Sequence, residues 1–344
     1  MATIKEIAER AGVSYATVSR ALNGKPGVGD ATRSRIEGLA REMGYTPDWQ
    51  ARALVTGRVR LFGLVVPDIT NPFFPEMIRG AEDAVFQRGY NLLLQDTSWE
   101  RSRLRQSLDL LTARRVAGLI VAAPVNGVWK EWEEMQRGRD GVTSRVVLAG
   151  QAPPRGSGLP AVEVDDRKGG LEVGRHLLGL GWERIAFLSG PRRERASRRR
   201  LSGLKRALAE VGREDALVVV SHGRWSVESG RYQTLALLGG ANGSSRPDAF
   251  FGANDLLALG AVQALSGAGL LVGKDVGVVG YDDIGWSRYL GVPLTTVAQP
   301  KKEVGRRAAE MLLSAVESGE RQGSQILEPE LVVRGSCGST ASGE

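Results

Sequence analysis

The residues able to do chemistry in this chain recur at intervals, each group falling just after a short apolar run. Asp68 to Phe74, Asp96, Asp165-Asp166, Ser189 to Arg200, Asn254-Asp255 and Asp282-Asp283 supply carboxylates, amides, guanidinium groups and aromatic rings. Such a set can hydrogen-bond a neutral polyhydroxylated molecule and offer it a ring to stack on. Each member also has a plainer reading. Asp255 can cap the helix that follows it, Asp165-Asp166 can cap the helix after Arg167, and Phe73 and Trp225 can be core. Their joint placement is what points to a site.

Catalysis is not indicated. Asp282-Asp283 has the composition of an acid-base pair, but neighbours in a tight turn rarely face one reacting centre. The two histidines, His176 and His222, accompany no nucleophile-base pattern, and neither a GxxxxGK[ST] phosphate loop nor a Cys/His metal spacing occurs. No enzyme activity, cofactor or metal is therefore expected. Residues 192–200 read Arg-Arg-Glu-Arg-Ala-Ser-Arg-Arg-Arg, six arginines in nine positions. A solvated loop and helix start would account for them. Guanidinium forks also match phosphate and carboxylate, which leaves an anionic sugar open as the ligand.

The elements that must position these residues are legible from hydrophobic periodicity. Strands are predicted at 61–66, 90–95, 118–122, 146–148, 161–164, 184–188, 217–220, 249–252 and 276–279. Helices are predicted at 73–88, 100–114, 167–180, 198–211, 226–238 and 255–266. This β-α alternation implies parallel sheets covered by helices, and its length fits two doubly wound lobes better than one. Ligands bind such folds at the carboxyl ends of the strands, so a cleft between lobes is the expected site. The lobes are expected at about 61–160 with 290–322, and 161–289 with 323–344.

The first 46 residues read differently. Thr3 with Glu6 has capping-box spacing, and Ile4, Ile7, Ala8 and Ala11 form a helical stripe that Gly12 ends. Ser14 can cap a second helix carrying Val18, Ala21 and Leu22 inward, and a third helix runs from about Asp30 to Met43 before Gly44. Two short helices joined by a glycine turn, plus a third, make a helix-turn-helix; a plain three-helix bundle is the alternative. In the DNA-reading geometry the start of the second helix, Tyr15, Ala16 and Thr17, meets base edges, and Arg20 reaches guanine or phosphate. Thr3, Ser14 and Asn23 complete the DNA-facing set. Residues 47–60 follow as a linker with a short helix, too short to persist alone in water.

Thr3-Ile-Lys-Glu-Ile-Ala, Ala11-Gly-Val-Ser-Tyr-Ala-Thr-Val-Ser-Arg20, Ala21-Leu-Asn-Gly and Gly44-Tyr-Thr-Pro47 resemble, nearly continuously, the head of the LacI/GalR regulator family. Pro67-Asp-Ile-Thr-Asn-Pro-Phe-Phe74, Ile185-Ala-Phe-Leu-Ser-Gly-Pro191, Gly252-Ala-Asn-Asp-Leu-Leu-Ala-Leu-Gly260, Val279-Gly-Tyr-Asp-Asp283, Pro293-Leu-Thr-Thr-Val-Ala-Gln-Pro300 and Glu330-Leu-Val-Val-Arg334 resemble its effector domains. The resemblance implies a helix-turn-helix head on a two-lobed, periplasmic-binding-protein-like α/β body. It implies operator DNA as partner, a sugar-like effector that controls DNA affinity, and a homodimer. It makes Tyr15 and Ala16 the main base-selecting pair, Leu54 a minor-groove wedge and Ala51 the contact between two hinge helices. Asp48 departs from the asparagine usual there. In the body it places Phe73 beside the effector, Arg200 in the pocket, Trp225 stacked on the ligand, and Asn254 and Asp282 on its hydroxyls; Asp96 and Asp165 join them as strand-end carboxylates.

Charge and composition agree. The chain of 344 residues carries a formal charge of +7, and residues 1–60 hold ten Lys/Arg against six Asp/Glu, so over half the excess lies in the head. A local basic excess suits phosphate binding. The single cysteine, Cys337, excludes an internal disulfide and fits a reducing, cytoplasmic setting. The first residues lack an apolar signal core. That feature, with the head, weighs against the other reading of the body, a transport-type sugar-binding protein.

Overall fold

The structure is a computed structural model that describes residues 2–22, 24–45, 59–125, 127–136, 145–192, 194–240 and 246–338. The chain divides into two compact units, Met1–Val59 and Arg60–Glu344.

The first unit contains α1 (Ile4–Ala11), α2 (Tyr15–Leu22) and α3 (Asp30–Glu42). The capping box forms: Thr3 Oγ1 accepts from Glu6 N at 3.3 Å, and Glu6 Oε2 accepts from Thr3 N at 2.7 Å. Gly12 turns the chain in the left-handed region at φ 62°, where a side chain would be strained. Ile7, Val18 and Ile36, one from each helix, are wholly buried and close a small core.

The second unit begins with β1 (Leu61–Val66), α4 (Phe73–Phe86), β2 (Asn91–Asp96), α5 (Arg101–Ala113), β3 (Gly118–Val121), α6 (Trp129–Gln136), β4 (Val146–Ala149) and β5 (Ala161–Val164). It continues with α7 (Asp166–Gly179), β6 (Ile185–Ser189), α8 (Arg195–Glu210), β7 (Leu217–His222), α9 (Val227–Gly240), β8 (Ala249–Gly252), α10 (Asp255–Gly267) and β9 (Gly277–Val279). It closes with β10 (Thr296–Ala298), α11 (Lys301–Glu317), β11 (Gln325–Leu327) and β12 (Glu330–Val332). Two parallel sheets result, ordered β11-β5-β4-β3-β1-β2 and β7-β6-β8-β9. Strands such as β3 and β6 are buried at every position, as sheets covered on both faces require. Among the described residues no helix is long and apolar enough to cross a membrane.

The expected lobe boundaries at 160/161 and 322/323 are corrected. β5 pairs in parallel with β4, and β11 with β5, so both belong to the first sheet. β10 pairs with β12 and bridges to the second sheet through Val279 to Thr295 and Asp282 to Ala298, so 294–298 belongs with the second lobe rather than the first. The backbone therefore passes between lobes three times, after β5, β10 and β11. Helices α6 and α11 and strands β10 to β12 were not among the predicted elements.

Three helix pairs cross through reciprocal glycines. A Cβ on Gly80 of α4 would lie 1.9 Å from Lys302 O, and one on Gly305 of α11 1.9 Å from Met77 O. Gly170 and Gly203 make the same exchange between α7 and α8, and Gly230 and Gly260 between α9 and α10. Each pair is thus in backbone contact, which fixes where the helix amino ends, and the side chains on them, stand at the carboxyl ends of the strands.

Candidate functional site

In the first unit, Ser14 Oγ accepts from Thr17 N at 3.1 Å and sits 2.9 Å from Thr17 Oγ1, fixing the first turn of α2. Burial of Val18 and Ala21 turns the other face of α2 outward. Tyr15 is 53% exposed, Ala16 and Arg20 are exposed, and Thr17 is half-buried. Two arginines that sequence alone could have assigned to phosphate are structural. Arg33 donates to Ala21 O at 2.8 Å and Lys25 O at 2.9 Å, and Arg35 donates to Ala11 O at 2.8 Å, so both satisfy carbonyls at helix ends. Thr3 and Ser14 likewise act here as caps. Asn23, Ala51 and Leu54, and the hinge through residue 58, lie outside the described residues.

In the second unit a cavity opens between the lobes at the strand carboxyl ends. The first lobe contributes Asn71, Phe73, Phe74, Trp99, Gln151 and Gln299, and the second contributes Glu194, Arg200, Trp225, Asn254 and Asp282. Five of the seven anticipated effector residues meet there: Phe73, Arg200, Trp225, Asn254 and Asp282.

Arg200 is buried and stretched. Its Nε donates to Asp166 Oδ1 at 2.8 Å, one terminal nitrogen donates to Ala253 O at 2.5 Å and lies 3.8 Å from Asp282 Oδ1, and its guanidinium stacks 3.7 Å over the Tyr281 ring. Asp282 accepts from Gln299 Nε2 at 2.6 Å. Burial pushes the Asp282 carboxyl up to about 6, with Arg200 and Lys301 opposing the rise. Burial also raises Glu194, against the backbone N–H of Arg195. Asn254 caps α10, its Oδ1 accepting from Leu257 N at 3.0 Å, which leaves the amide nitrogen for a ligand.

Two anticipated residues stand elsewhere. Asp165 caps α7, accepting from Arg167 N and Lys168 N at 3.1 Å each. Asp96 is consumed by loop backbone, accepting from Ile69 N at 2.7 Å and Ser98 N at 2.6 Å. Neither lines the cavity. Both corrections have one cause: a carboxylate at a strand end is next to unsatisfied N–H groups, and these claim it first. Asp255, read as a cap, is instead an internal tie, accepting from Thr296 Oγ1 at 2.5 Å and Ile284 N at 2.8 Å.

The arginine run is also resolved in part. Of its described arginines only Arg200 lines the cavity. Arg195 donates to Pro153 O at 3.1 Å and Arg199 pairs with Glu163 at 2.7 Å, both across to the first lobe, while Arg192 and Arg198 are exposed. Arg193 lies outside the described residues. Trp99 and Gln151 were not singled out, yet each follows a strand, β2 and β4, and the same strand-end rule finds them.

A three-helix head with an exposed second helix, on a chain whose body holds a two-lobed ligand cleft, defines a ligand-responsive DNA-binding regulator. Residues 3–48 match the bacterial regulatory proteins of the lacI family, and residues 175–337 match the periplasmic binding protein-like domain. The chain is 34% identical to the HTH-type transcriptional regulator DegA of Bacillus subtilis, over 96% of its own length and 97% of the relative's. It is 33% identical to the ribose operon repressor of Escherichia coli, over 98% and 100%. Its fold matches the lac repressor dimer bound to operator and the anti-inducer ONPF with a TM-score of 0.86, 28% identity, and coverage of 98% and 99%. The chain belongs to the lacI family of bacterial regulatory proteins and is a DNA-binding transcriptional regulator.

Proposed function

We propose that this regulator is a repressor that reads a palindromic operator through α2, with Tyr15, Ala16, Thr17 and Arg20 toward the major groove. A small hydroxylated effector, of sugar type, occupies the cleft and controls that affinity. One observation carries the reading: the same chain exposes Tyr15 at the start of a capped helix and Arg20 in its last turn, and lines a two-lobed cleft with Arg200, Asp282, Asn254 and Trp225. Among the described residues, the ionisable groups at the cavity are two carboxylates, Glu194 and Asp282, and one guanidinium. That balance supports a neutral effector over an anionic one. The lac repressor match is a dimer on operator, and this chain is proposed to pair likewise, placing two heads on two half-sites. It acts in the cytoplasm, where the operator is, and catalyses nothing.

Regulation follows as linkage. An effector that prefers one arrangement of the lobes shifts operator affinity by its differential binding energy, typically about 1–3 kcal/mol. Selection of bound sequences from a random duplex pool, with and without candidate sugars, tests the reading. A palindrome gained or lost with one sugar is expected; failure to enrich any sequence would overturn it.

A further inference from the structure

The cleft carries one feature for which neither the head nor the hydrogen-bonding set accounts. Ser98 and Trp99, in the loop after β2, hold positive φ angles of 46° and 62°. That conformation is a genuine outlier for a bulky side chain. The loop is held in it by several bonds. Asp96 Oδ1 accepts from Ser98 N at 2.6 Å and Ser98 Oγ at 3.1 Å, Arg103 donates to Ser98 Oγ at 3.1 Å, and Trp99 N donates to Pro67 O at 3.0 Å. The carboxylate anticipated as a ligand contact is thus spent on holding this loop. Its product is an indole that lines the cavity from the first lobe and remains 36% exposed.

Opposite stands Trp225 of the second lobe. The two ring centroids are 6.3 Å apart, with planes 33° from parallel. Trp225 Nε1 is buried and has no hydrogen-bond partner, a state that native structures rarely leave unexplained. Gly190 lies directly beneath that ring, where a Cβ would come within 2.5 Å of it. The second jaw is therefore seated as closely as the first.

We propose that Trp99 and Trp225 are a clamp for a flat aromatic ring, so that the effector is a hydroxylated molecule carrying such a ring, as a nucleoside or an aryl glycoside does. This rests on the reading of the cleft as the effector site. Carbon contacts are best at about 3.5–4.0 Å, so a flat ring between two faces needs them roughly 7–8 Å apart. The centroids now stand 6.3 Å apart at a tilt of 33°, at least about 1 Å short of that gap, so a ring is admitted when the two indoles part and turn more nearly parallel. A puckered pyranose chair projects atoms from both faces and needs a wider gap. Asp282, Asn254 and Gln299 then take the hydroxyls.

The test is calorimetric titration of the full chain with matched compounds: ribose against its nucleosides, and methyl glycosides against the p-nitrophenyl glycosides of the same sugars. One ring-bearing compound is expected to bind at least tenfold tighter than its ringless match. Trp99→Ala should erase that margin while moving the ringless compound less than threefold, and Trp99→Phe should keep most of it. Equal affinities within every pair, or no binding by any ring-bearing compound, overturns the clamp. So does a Trp99→Ala loss that is the same with and without the ring, since that marks a loop held for its own sake. The cleft reading fails separately: it falls if Asp282→Asn leaves the affinity of every bound compound unchanged, and the clamp falls with it.

Discussion

The ammonium of Lys301, the first residue of α11 in the first lobe, lies 2.7 Å from Asp282 O and 2.8 Å from Asp283 O in the second lobe. Both carbonyls belong to residues of positive φ, 120° and 49°. Lys301 is 5% exposed, and Glu76 Oε1 lies 3.3 Å from its ammonium. The lysine therefore holds a strained turn from across the cleft. Lys301→Met keeps the stem but leaves both carbonyls without this donor, at about 1–3 kcal/mol each when buried. Urea melts should show the body destabilised by about 2–4 kcal/mol. An unshifted midpoint would mean that water replaces the ammonium at no cost.

Two carboxyls make the body sensitive to pH. Burial pushes Asp255 up to about 8, with the Asp282 charge adding to the rise, and pushes Asp282 up to about 6. A carboxyl whose pKa is raised by folding binds its proton more tightly folded than unfolded. Its stability contribution is full below the unfolded value near 4 and is lost as pH rises through the folded value. Thermal midpoints are expected to fall from about pH 4 to 8 because of Asp255 and to level off above that, and Asp255→Asn should flatten that slope. A parallel slope in the variant would assign the loss to other groups.

Effector affinity should run the other way. Hydroxyl groups donate to the ionised form of Asp282, so affinity is expected to weaken below about pH 6, by up to roughly tenfold per unit. Titration calorimetry of any bound effector at a series of pH values measures it, and Asp282→Asn should remove the dependence.

How far this site was legible follows from which forces act locally. Thr3, Ser14 and Gly12 could be read as caps and turn because their partners lie within a few residues. Phe73, Arg200, Trp225, Asn254 and Asp282 could be found because strand ends converge on one cleft in this architecture, and the family motifs mark the same positions. Asp96 and Asp165 were misread because competition between a distant ligand and an adjacent N–H leaves no mark in the sequence. Helix α11 was missed although Val304, Ala308, Met311 and Leu312 are buried at helical spacing. The lobe exchange of β5 and β11 was hidden for a different reason: a three-residue strand such as Gln325–Leu327 has no periodicity long enough to say which sheet it joins.

The glycine crossings predict opposite signs for one substitution. Gly305→Ala drives a methyl onto Met77 O, and overpacking of this kind costs about 1–3 kcal/mol. Gly38, inside α3, has no atom within 4 Å of its Cβ position. There alanine should stabilise the head by about 0.5–1 kcal/mol. Chemical denaturation of the two variants, followed by circular dichroism, separates them; a stabilised Gly305→Ala would show that α4 and α11 can part without loss.

On the DNA side, Tyr15 and Arg20 are expected to fail differently. Tyr15→Ala should cost about 1–3 kcal/mol on the selected operator and relax its sequence preference. If Arg20 meets phosphate, Arg20→Ala should weaken all duplexes alike and lower the slope of affinity against salt by about 1. Fluorescence anisotropy across a potassium chloride series distinguishes them, and a base-specific loss for Arg20→Ala would make it a reader instead.

The three passages of the backbone between lobes bear on how the protein is made. Residues 2–45 form their core from one continuous stretch, so a ribosome can release a finished head early. The first sheet is not complete until Gln325–Leu327 reaches β5, nor the second lobe until Glu330–Val332 reaches β10. Translation that stops short of these last strands would leave the DNA reader intact beside an effector cleft that cannot close its sheets. A gene truncated there is expected to yield a regulator deaf to its signal rather than one that is merely absent.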